Sequence, residues 1–594
     1  MMKRLFSYIF LFFSLIAFSQ NEQLAMNYFD KGEFEKAIIS FEQLAKDQPG
    51  NSLYFQKLVE SYQQLKQYDK AQIALETQIK KMPLANLFVE LGYNYQLQKN
   101  DSKAKKYYDE ALEKVKATPP YVYLVANAFE KKVLLDYAVE AYKIALQKDP
   151  KLKFSFQLAV IYGQQGKTDL MIDTFLDEAF ENRNTLIMVQ NQLSRFMTEE
   201  SAATPFNDQL RKSLLIRAQK NQDIFWNQFL SWFFVQQKEY SKAFIQEKAI
   251  YRREPESLSS IVNLGQLSLD ENEEETAQEI FSFVLENTQD IDLKILSNYY
   301  LMDFKIKKAQ EKNYGAIKSE LELLMKQFGV SPYSLSLQIL QAHFETFNMK
   351  NPEGGKAILK RALELPLNNY QKADAKMELA DILLYEEKFN QALIYYSQIE
   401  DDLKNDPVGH EASLKAAKTS YFKTDFEWAL KQFKELKSAS TQLIANDALE
   451  LFLLINDNTV ADSTQIGLKK FARGDYLLYQ NKNKEALEQF QSILKDYKGQ
   501  EIEDETLLRI GQTYQKMGDF TQALAQYKSI IENHKDGIYI DEALYFSAEI
   551  YNLQLKDPEK AKPLYEKILF EHEDSIYFVD ARKKFRQLRG DANL

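Results

Sequence analysis

Few side chains in this sequence have the types and spacing that chemistry needs. The four histidines, His343, His410, His534 and His572, stand far apart. None has a second histidine three or four residues away, and the chain has no cysteine. A metal centre needs converging ligands, which single scattered imidazoles do not supply locally. Without thiols there are no disulfides, no thiolate nucleophile and no lipidation at a cysteine. The glycines are scattered, with Gly354-Gly355 the one adjacent pair, and form no phosphate-cradling loop, and no local motif points to a Ser–His–Asp arrangement. Two acidic runs, DENEEE (Asp270 to Glu275) and EIEDE (Glu501 to Glu505), imitate a carboxylate pair. They fall at expected turns and helix starts, where negative charge favours the helix dipole. Arg582, Lys583, Lys584, Arg586 and Arg589 lie on the last expected helix and read as the polar face of a terminal cap. No catalytic residue, cofactor or metal ligand is assigned, and the chain is expected not to be an enzyme.

The bulk composition points the same way. The chain has 594 residues, 45% of them hydrophobic, with only 18 glycines and 13 prolines. So few turn formers favour long helices with short connections. The formal charge is −11, from 86 acidic and 75 basic residues. A nucleic-acid partner would call for a basic excess, so none is expected. Residues 1–19 read as a signal peptide. Lys3 and Arg4 precede an apolar run from Leu5 to Phe18, and Ala17-Phe18-Ser19 sets small residues where a signal peptidase reads, before Gln20. The run is shorter than the roughly 20 residues a spanning helix needs. The expectation is an exported, periplasmic protein with no transmembrane span; peripheral membrane association stays open.

One skeleton recurs along the chain. Alanine followed four residues later by an aromatic occurs at Ala37/Phe41, Ala104/Tyr108, Ala138/Tyr142, Ala277/Phe281, Ala392/Tyr396, Ala429/Phe433, Ala486/Phe490, Ala523/Tyr527 and Ala561/Tyr565. Residues i and i+4 share a helix face. The small alanine lets a neighbouring helix come close, and the aromatic fills the space beside it. Pro49, Pro83, Pro150 and Pro255 close their units, since proline cannot continue a helix. A second pattern precedes the alanine: LGYNY (Leu91 to Tyr95), LAVIY (Leu158 to Tyr162), LGQLS (Leu264 to Ser268), LADIL (Leu379 to Leu383) and IGQTY (Ile510 to Tyr514). This is a first helix packed through its small residue.

These residues resemble the tetratricopeptide repeat. The resemblance is strong over residues 21–178, 224–286 and 373–570, and weak over 185–222 and 291–371. It implies an all-α fold, a tetratricopeptide-type α-solenoid in which about 14 antiparallel helix pairs, several degenerate, form a right-handed superhelix. The division expected is a signal peptide (1–19), an N-terminal solenoid (20–290), degenerate helical repeats (291–372), central repeats (373–458) and C-terminal repeats with a capping helix (459–594). The turn-rich NDNTVADST (Asn456 to Thr464) is the best candidate break. Residues 484–588 also resemble periplasmic repeat proteins of Gram-negative envelopes, of the Tol–Pal-associated coordinator and barrel-assembly lipoprotein types. The shared marks include Asp541-Glu542-Ala543, Ala561 with Tyr565, and Ala581-Arg582.

In this family the first helix of each pair lines the groove. Tyr93, Tyr123, Asn127, Phe156 and Trp232 fall there at positions the repeat packing does not require, and they are the candidate binding residues. Some members hold a peptide carboxylate in a basic, asparagine-lined clamp. The matching positions here are Glu22, Met26, Lys57, Asn86 and Glu90, which do not form that clamp. The function implied is an exported periplasmic scaffold whose partners are envelope proteins or extended peptide segments. Peptidoglycan or carbohydrate binding through groove aromatics is the alternative, with a cytoplasmic adaptor behind it.

Overall fold

The computed structural model describes residues 21–197, 205–255, 258–439, 441–461, 464–535 and 537–590; the expected signal peptide lies outside them. Helices joined by short turns make up the described chain, with no strand among the described residues. Two compact units divide it, the first ending within the helix Pro205–Lys220 at Ile216 and the second running from Arg217 onward.

The first unit stacks helix pairs. After a helical stretch at 21–30 and its partner Phe34–Asp47 come Ser52–Gln64 with Tyr68–Lys81, then Ala85–Leu97 with Asp101–Ala117. Val122–Lys131 with Leu135–Lys148 and Ser155–Gln164 with Thr168–Glu181 follow. The alanines and aromatics of the skeleton are the core: Ala37, Phe41, Ala71, Ala104, Tyr108, Ala138 and Tyr142 are all buried. Each turn within a pair needs one residue in the left-handed region. Gly32 and Gly166 supply it freely, whereas Val133 holds a φ of 58° against its β-branched side chain.

The second unit repeats this plan. The degenerate stretch keeps it too: Ile291–Lys307 is followed by Tyr314–Phe328, and Leu335–His343 by Pro352–Leu363. Here Ile317, Leu321 and Leu324 take the buried positions that alanine and an aromatic hold elsewhere, which is why the consensus fades while the packing persists.

The small residue of the first helix meets the aromatic of the second across a spacing of 16. A Cβ built on Gly92 would lie 2.5 Å from the Tyr108 ring, one on Gly474 2.4 Å from Phe490, and one on Gly511 2.4 Å from Tyr527. At Phe344–Asn348 and Ile550–Gln554 a π turn adds one residue to the first helix. The partner then falls one place later, so Ala342 shares a cluster with Leu359, and Ala548 with Tyr565. Two glycine-to-alanine changes should therefore differ in sign. Gly511→Ala drives a methyl into a fully buried ring, and overpacking costs about 1–3 kcal/mol, more than the roughly 1 kcal/mol that alanine gains in a helix. Gly315, in Tyr314–Phe328, has open space around its Cβ position. Gly315→Ala should stabilise by about 0.5 kcal/mol, since it lies in the first turn. Urea melts of the two variants check this; equal signs would refute the packing argument.

The second unit departs from simple stacking after Phe426–Ala439. A single helix, Gln442–Ala461, packs against that helix. The next helix, Ile466–Tyr479, pairs with Asn483–Asp496 and also reaches back to Asn369–Tyr385. The Tyr476 hydroxyl donates to the Leu384 carbonyl at 2.6 Å, Tyr479 to the Asp381 carbonyl at 2.8 Å, and the Gln480 amide to the Tyr385 carbonyl at 2.7 Å. The last carbonyl of that helix, Tyr385, has no partner within it, and the Gln480 amide supplies one. Arg473 and Glu387 add an ion pair at 3.0 Å. The pairs Ile502–Lys516 with Phe520–Asn533 and Ile540–Gln554 with Pro558–Glu571 follow, closed by Phe578–Arg589.

Candidate functional site

In the first unit, the first helices are tied together by charge. Lys132, just past Val122–Lys131, holds its ammonium 3.1 Å from Glu90 on Ala85–Leu97 and 3.9 Å from Glu60 on Ser52–Gln64. It also lies 4.9 Å from the centre of the Tyr93 ring. Glu60 is paired a second time, with Lys57 at 2.9 Å. Both Lys132 and Glu90 keep only 9% side-chain exposure. Burial pushes the Glu90 carboxyl above its ordinary pKa, with Lys132 pulling against that shift. A buried amide link runs beside them: Gln63 donates to Asn94 at 3.4 Å, and Asn94 donates to the Tyr68 carbonyl at 3.0 Å.

The five groove residues have different environments. Tyr93 is half-buried under Lys132. Tyr123 and Asn127, one turn apart on Val122–Lys131, are exposed, with Tyr123 edge-on to the buried Phe154 at 4.8 Å. Phe156 turns into the packing, 5.2 Å from Phe175. Trp232 belongs to the second unit, on Ile224–Gln236, and meets Phe229 edge-on at 5.3 Å. Tyr93, Tyr123, Asn127 and Phe156 thus lie on first helices of the first unit; Tyr123, Phe156 and Trp232 each contact a buried aromatic, and of these three only Tyr123 is exposed.

The second unit carries two polar networks that the repeat pattern did not reveal. In one, Asp381 accepts from the Tyr396 hydroxyl and from Lys415 at 2.6 Å. One turn earlier, Glu378 sits 3.0 Å from His343 Nδ1. Burial is the largest single influence on this imidazole and works against its charge. The Glu378 hydrogen bond, with Asp381 and Asp303 nearby, overrides it and holds the pKa above the ordinary histidine range. Folding therefore gains from the charged ring in acid and loses that gain as pH rises through the raised value. Glu378→Gln should lower the His343 pKa and weaken this pH dependence, which an NMR titration of the ring reads directly; an unmoved pKa would refute the coupling.

The other network joins three first helices with the helix Gln442–Ala461. Arg509 lies 3.1 Å from Asp475 and 3.4 Å from Glu450, and the Tyr421 hydroxyl donates to Asp475 at 3.0 Å. Glu505 accepts from Asn458 at 3.0 Å and from the Tyr539 hydroxyl at 3.4 Å. Its carboxyl is pushed up to about 8, chiefly by burial. Glu542, one repeat on, is likewise pushed up to about 8, chiefly by burial. The signal available in the sequence was positional: Glu505 and Glu542 each stand immediately before the buried small residue of their first helix, Thr506 and Ala543.

These groups are paired with cations, amides and tyrosines and do not converge on a nucleophile. Among the described residues, no three His, Asp or Glu side chains cluster as a cation site would require. No described helix is long and apolar enough to cross a membrane. In each unit the arrangement is an ordered polar network along first helices, most of it buried.

A family model described as tetratricopeptide repeat matches residues 505–537, the pair beginning with Ile502–Lys516. No curated protein matches the chain in sequence. Among solved structures, a Naa15/Naa10 complex bound to HypK-THB is 14% identical, over 97% of this chain and 93% of that one, at a TM-score of 0.25. The APC/C hetero-tetramer Cut9-Hcn1 is 13% identical, over 96% of each chain, at the same TM-score of 0.25. At such scores these likenesses carry no argument, and the fold rests on the packing above. With its helix pairs, its alanine–aromatic contacts and the match at 505–537, this chain has an all-α solenoid fold of tetratricopeptide-repeat type.

Proposed function

We propose that this protein is a non-catalytic scaffold, exported to the periplasm, that binds envelope proteins or extended peptide segments. The observation that carries the binding role is the first-helix face of the first unit. Lys57, Glu60, Glu90 and Lys132 hold one another in place along these first helices, and Tyr123 and Asn127 stand exposed on the helix that Lys132 follows. A pre-ordered face binds with less loss of side-chain freedom, and exposed tyrosine supplies large contact area at low entropic cost. Export is supported by the composition of residues 1–19, and the envelope setting by the resemblance of residues 484–588. Outer-membrane assembly, secretion and envelope maintenance are the processes this setting points to.

The test is in-cell photo-crosslinking with a photoreactive residue at Tyr123 or Asn127, compared with one at exposed Lys106 on the outer helix Asp101–Ala117. Mass spectrometry of the purified chain reads its N-terminus. Envelope proteins captured from positions 123 and 127 but not 106, with a mature start at Gln20, are the expected result. Equal capture from all three positions would refute the face, and an intact Met1 with cytosolic partners would refute the export.

A further inference from the structure

Helix Gln442–Ala461 interrupts the pairing of the second unit. It packs on Phe426–Ala439 as the first helix of a new pair would, yet the helix that follows pairs elsewhere. It is a 20-residue first helix with no second helix of its own. Its apolar side, with Ala448, Leu451, Leu454 and Ile455, joins the cluster that holds Leu468, Phe471, Ile502 and Ile510. Two of its polar side chains are bonded to the first helix of the C-terminal repeats. Glu450 accepts from Arg509, and Asn458, eight residues later and about 80° round the helix among the buried apolar side chains, donates to Glu505.

The receiving face has more contacts to offer than this helix uses. Arg509 is held in place by Asp475 independently of Glu450. Glu542 repeats the position of Glu505 one unit on, with one carboxylate oxygen buried and without a hydrogen-bond partner. The Glu450 carboxylate, by contrast, stays 56% exposed, so that half of the link is easily exchanged with water.

We propose that helix 442–461 is an internal occupant of the groove formed by the C-terminal first helices. The external ligand of that groove is then an amphipathic helix with the same pattern, an acid for Arg509 and, eight residues on, a side-chain amide for Glu505. Such a helix binds by taking the internal helix's place. This rests on the scaffold reading but concerns a different unit from Tyr123 and Asn127, so the crosslinking above and the test below fail independently.

The probe is a labelled synthetic peptide of residues 442–461. Glu450→Lys with Asn458→Asp alters only the internal helix: it sets a cation against Arg509 and an acid against Glu505, and leaves the groove intact. The full-length double variant should bind the peptide at least tenfold more tightly than the unaltered chain. Failure to do so, with helical circular dichroism retained, would overturn the proposal. Amide exchange of the unaltered chain gives a second reading that needs no variant. Exchange in 442–461 should exceed that in 426–439 and 466–479 by at least tenfold; equal protection of the three helices would overturn the proposal whatever the variant does.

Discussion

Lys132→Met is expected to destabilise the first unit by about 3–5 kcal/mol, the usual cost of removing one partner from a buried ion pair. The loss exceeds that of a surface pair because of what stays behind. Glu90 keeps only 9% exposure, and without Lys132 its carboxylate has no cation at contact distance. It must then ionise at a high cost or hold a proton that the unfolded chain would release. The Tyr93 ring also loses the ammonium above it, about another 0.5–1 kcal/mol. The companion variant separates these effects. Lys132→Met combined with Glu90→Gln removes both charges and should recover most of the stability, because a buried pair contributes little net over neutral groups of similar volume. Urea denaturation of the two variants, with the single Glu90→Gln completing the cycle, measures the coupling. A double variant no more stable than Lys132→Met alone would show that the lysine acts through its packing.

Glu505→Gln is expected to act in the opposite direction, and only above acid pH. Below its unfolded value of 4.5 the Glu505 carboxyl is protonated in both states and carries no penalty. Between 4.5 and about 8 the unfolded chain releases the proton while the folded chain retains it, so stability falls as pH rises. Above about 8 the carboxylate is ionised in the fold as well, and the full penalty, on the order of 5 kcal/mol, stands. The groups facing it relieve this only in part. Asn458 and Tyr539 donate to it, but Asp457 and Asp504 add negative charge. Glutamine cannot ionise, and its carbonyl still accepts one of those two hydrogen bonds. The variant should therefore match the natural chain near pH 4, or fall about 1 kcal/mol below it for the lost bond, and exceed it at pH 8.5. Glu542 shares the shift, so a shallower slope should remain. Thermal melts at the two pH values decide the matter; a variant that loses stability at both would show that the carboxyl is needed for its hydrogen bonds alone.

The fold was more legible than the polar site, for a physical reason. Packing in a repeat recurs, so Ala37, Ala104 and Ala523 each announce the same contact, and the glycine of LGYNY or IGQTY lies at a fixed distance from its aromatic. Charge pairs obey no such period. Lys132 and Glu90 come from a turn and a first helix 42 residues apart, and neither position is required by the repeat. EIEDE reads as a helix start, and Ile502–Lys516 does begin there, but the third acid of its first turn faces inward where the dipole argument places all of them in solvent. The asparagines of NDNTVADST lie inside Gln442–Ala461, because Asn458 finds partners in the Leu454 carbonyl and Glu505 that outweigh its local preference for a turn. The five candidate groove residues were chosen as aromatics or amides the packing does not demand, and that criterion cannot separate exposed Tyr123 from Phe156, which packs on Phe175.

The bonds from Tyr476 and Gln480 to the end of Asn369–Tyr385 bear on how the chain folds. Solenoids fold readily because each unit touches only its neighbours and the contacts are local in sequence. Here Tyr476 meets Leu384 across 92 residues. Closing a loop of that length costs about 4 kcal/mol of chain entropy before any of these bonds forms. Residues 386–475 therefore form a loop that is sealed late, after the helices inside it have shortened the span. Once sealed, the central and C-terminal repeats are obliged to unfold together. Refolding of the second unit should thus show a slow phase that a simple stack of pairs lacks, and Tyr476→Phe, which removes the hydroxyl and keeps the ring, should weaken that joint unfolding without disturbing either set of repeats by itself.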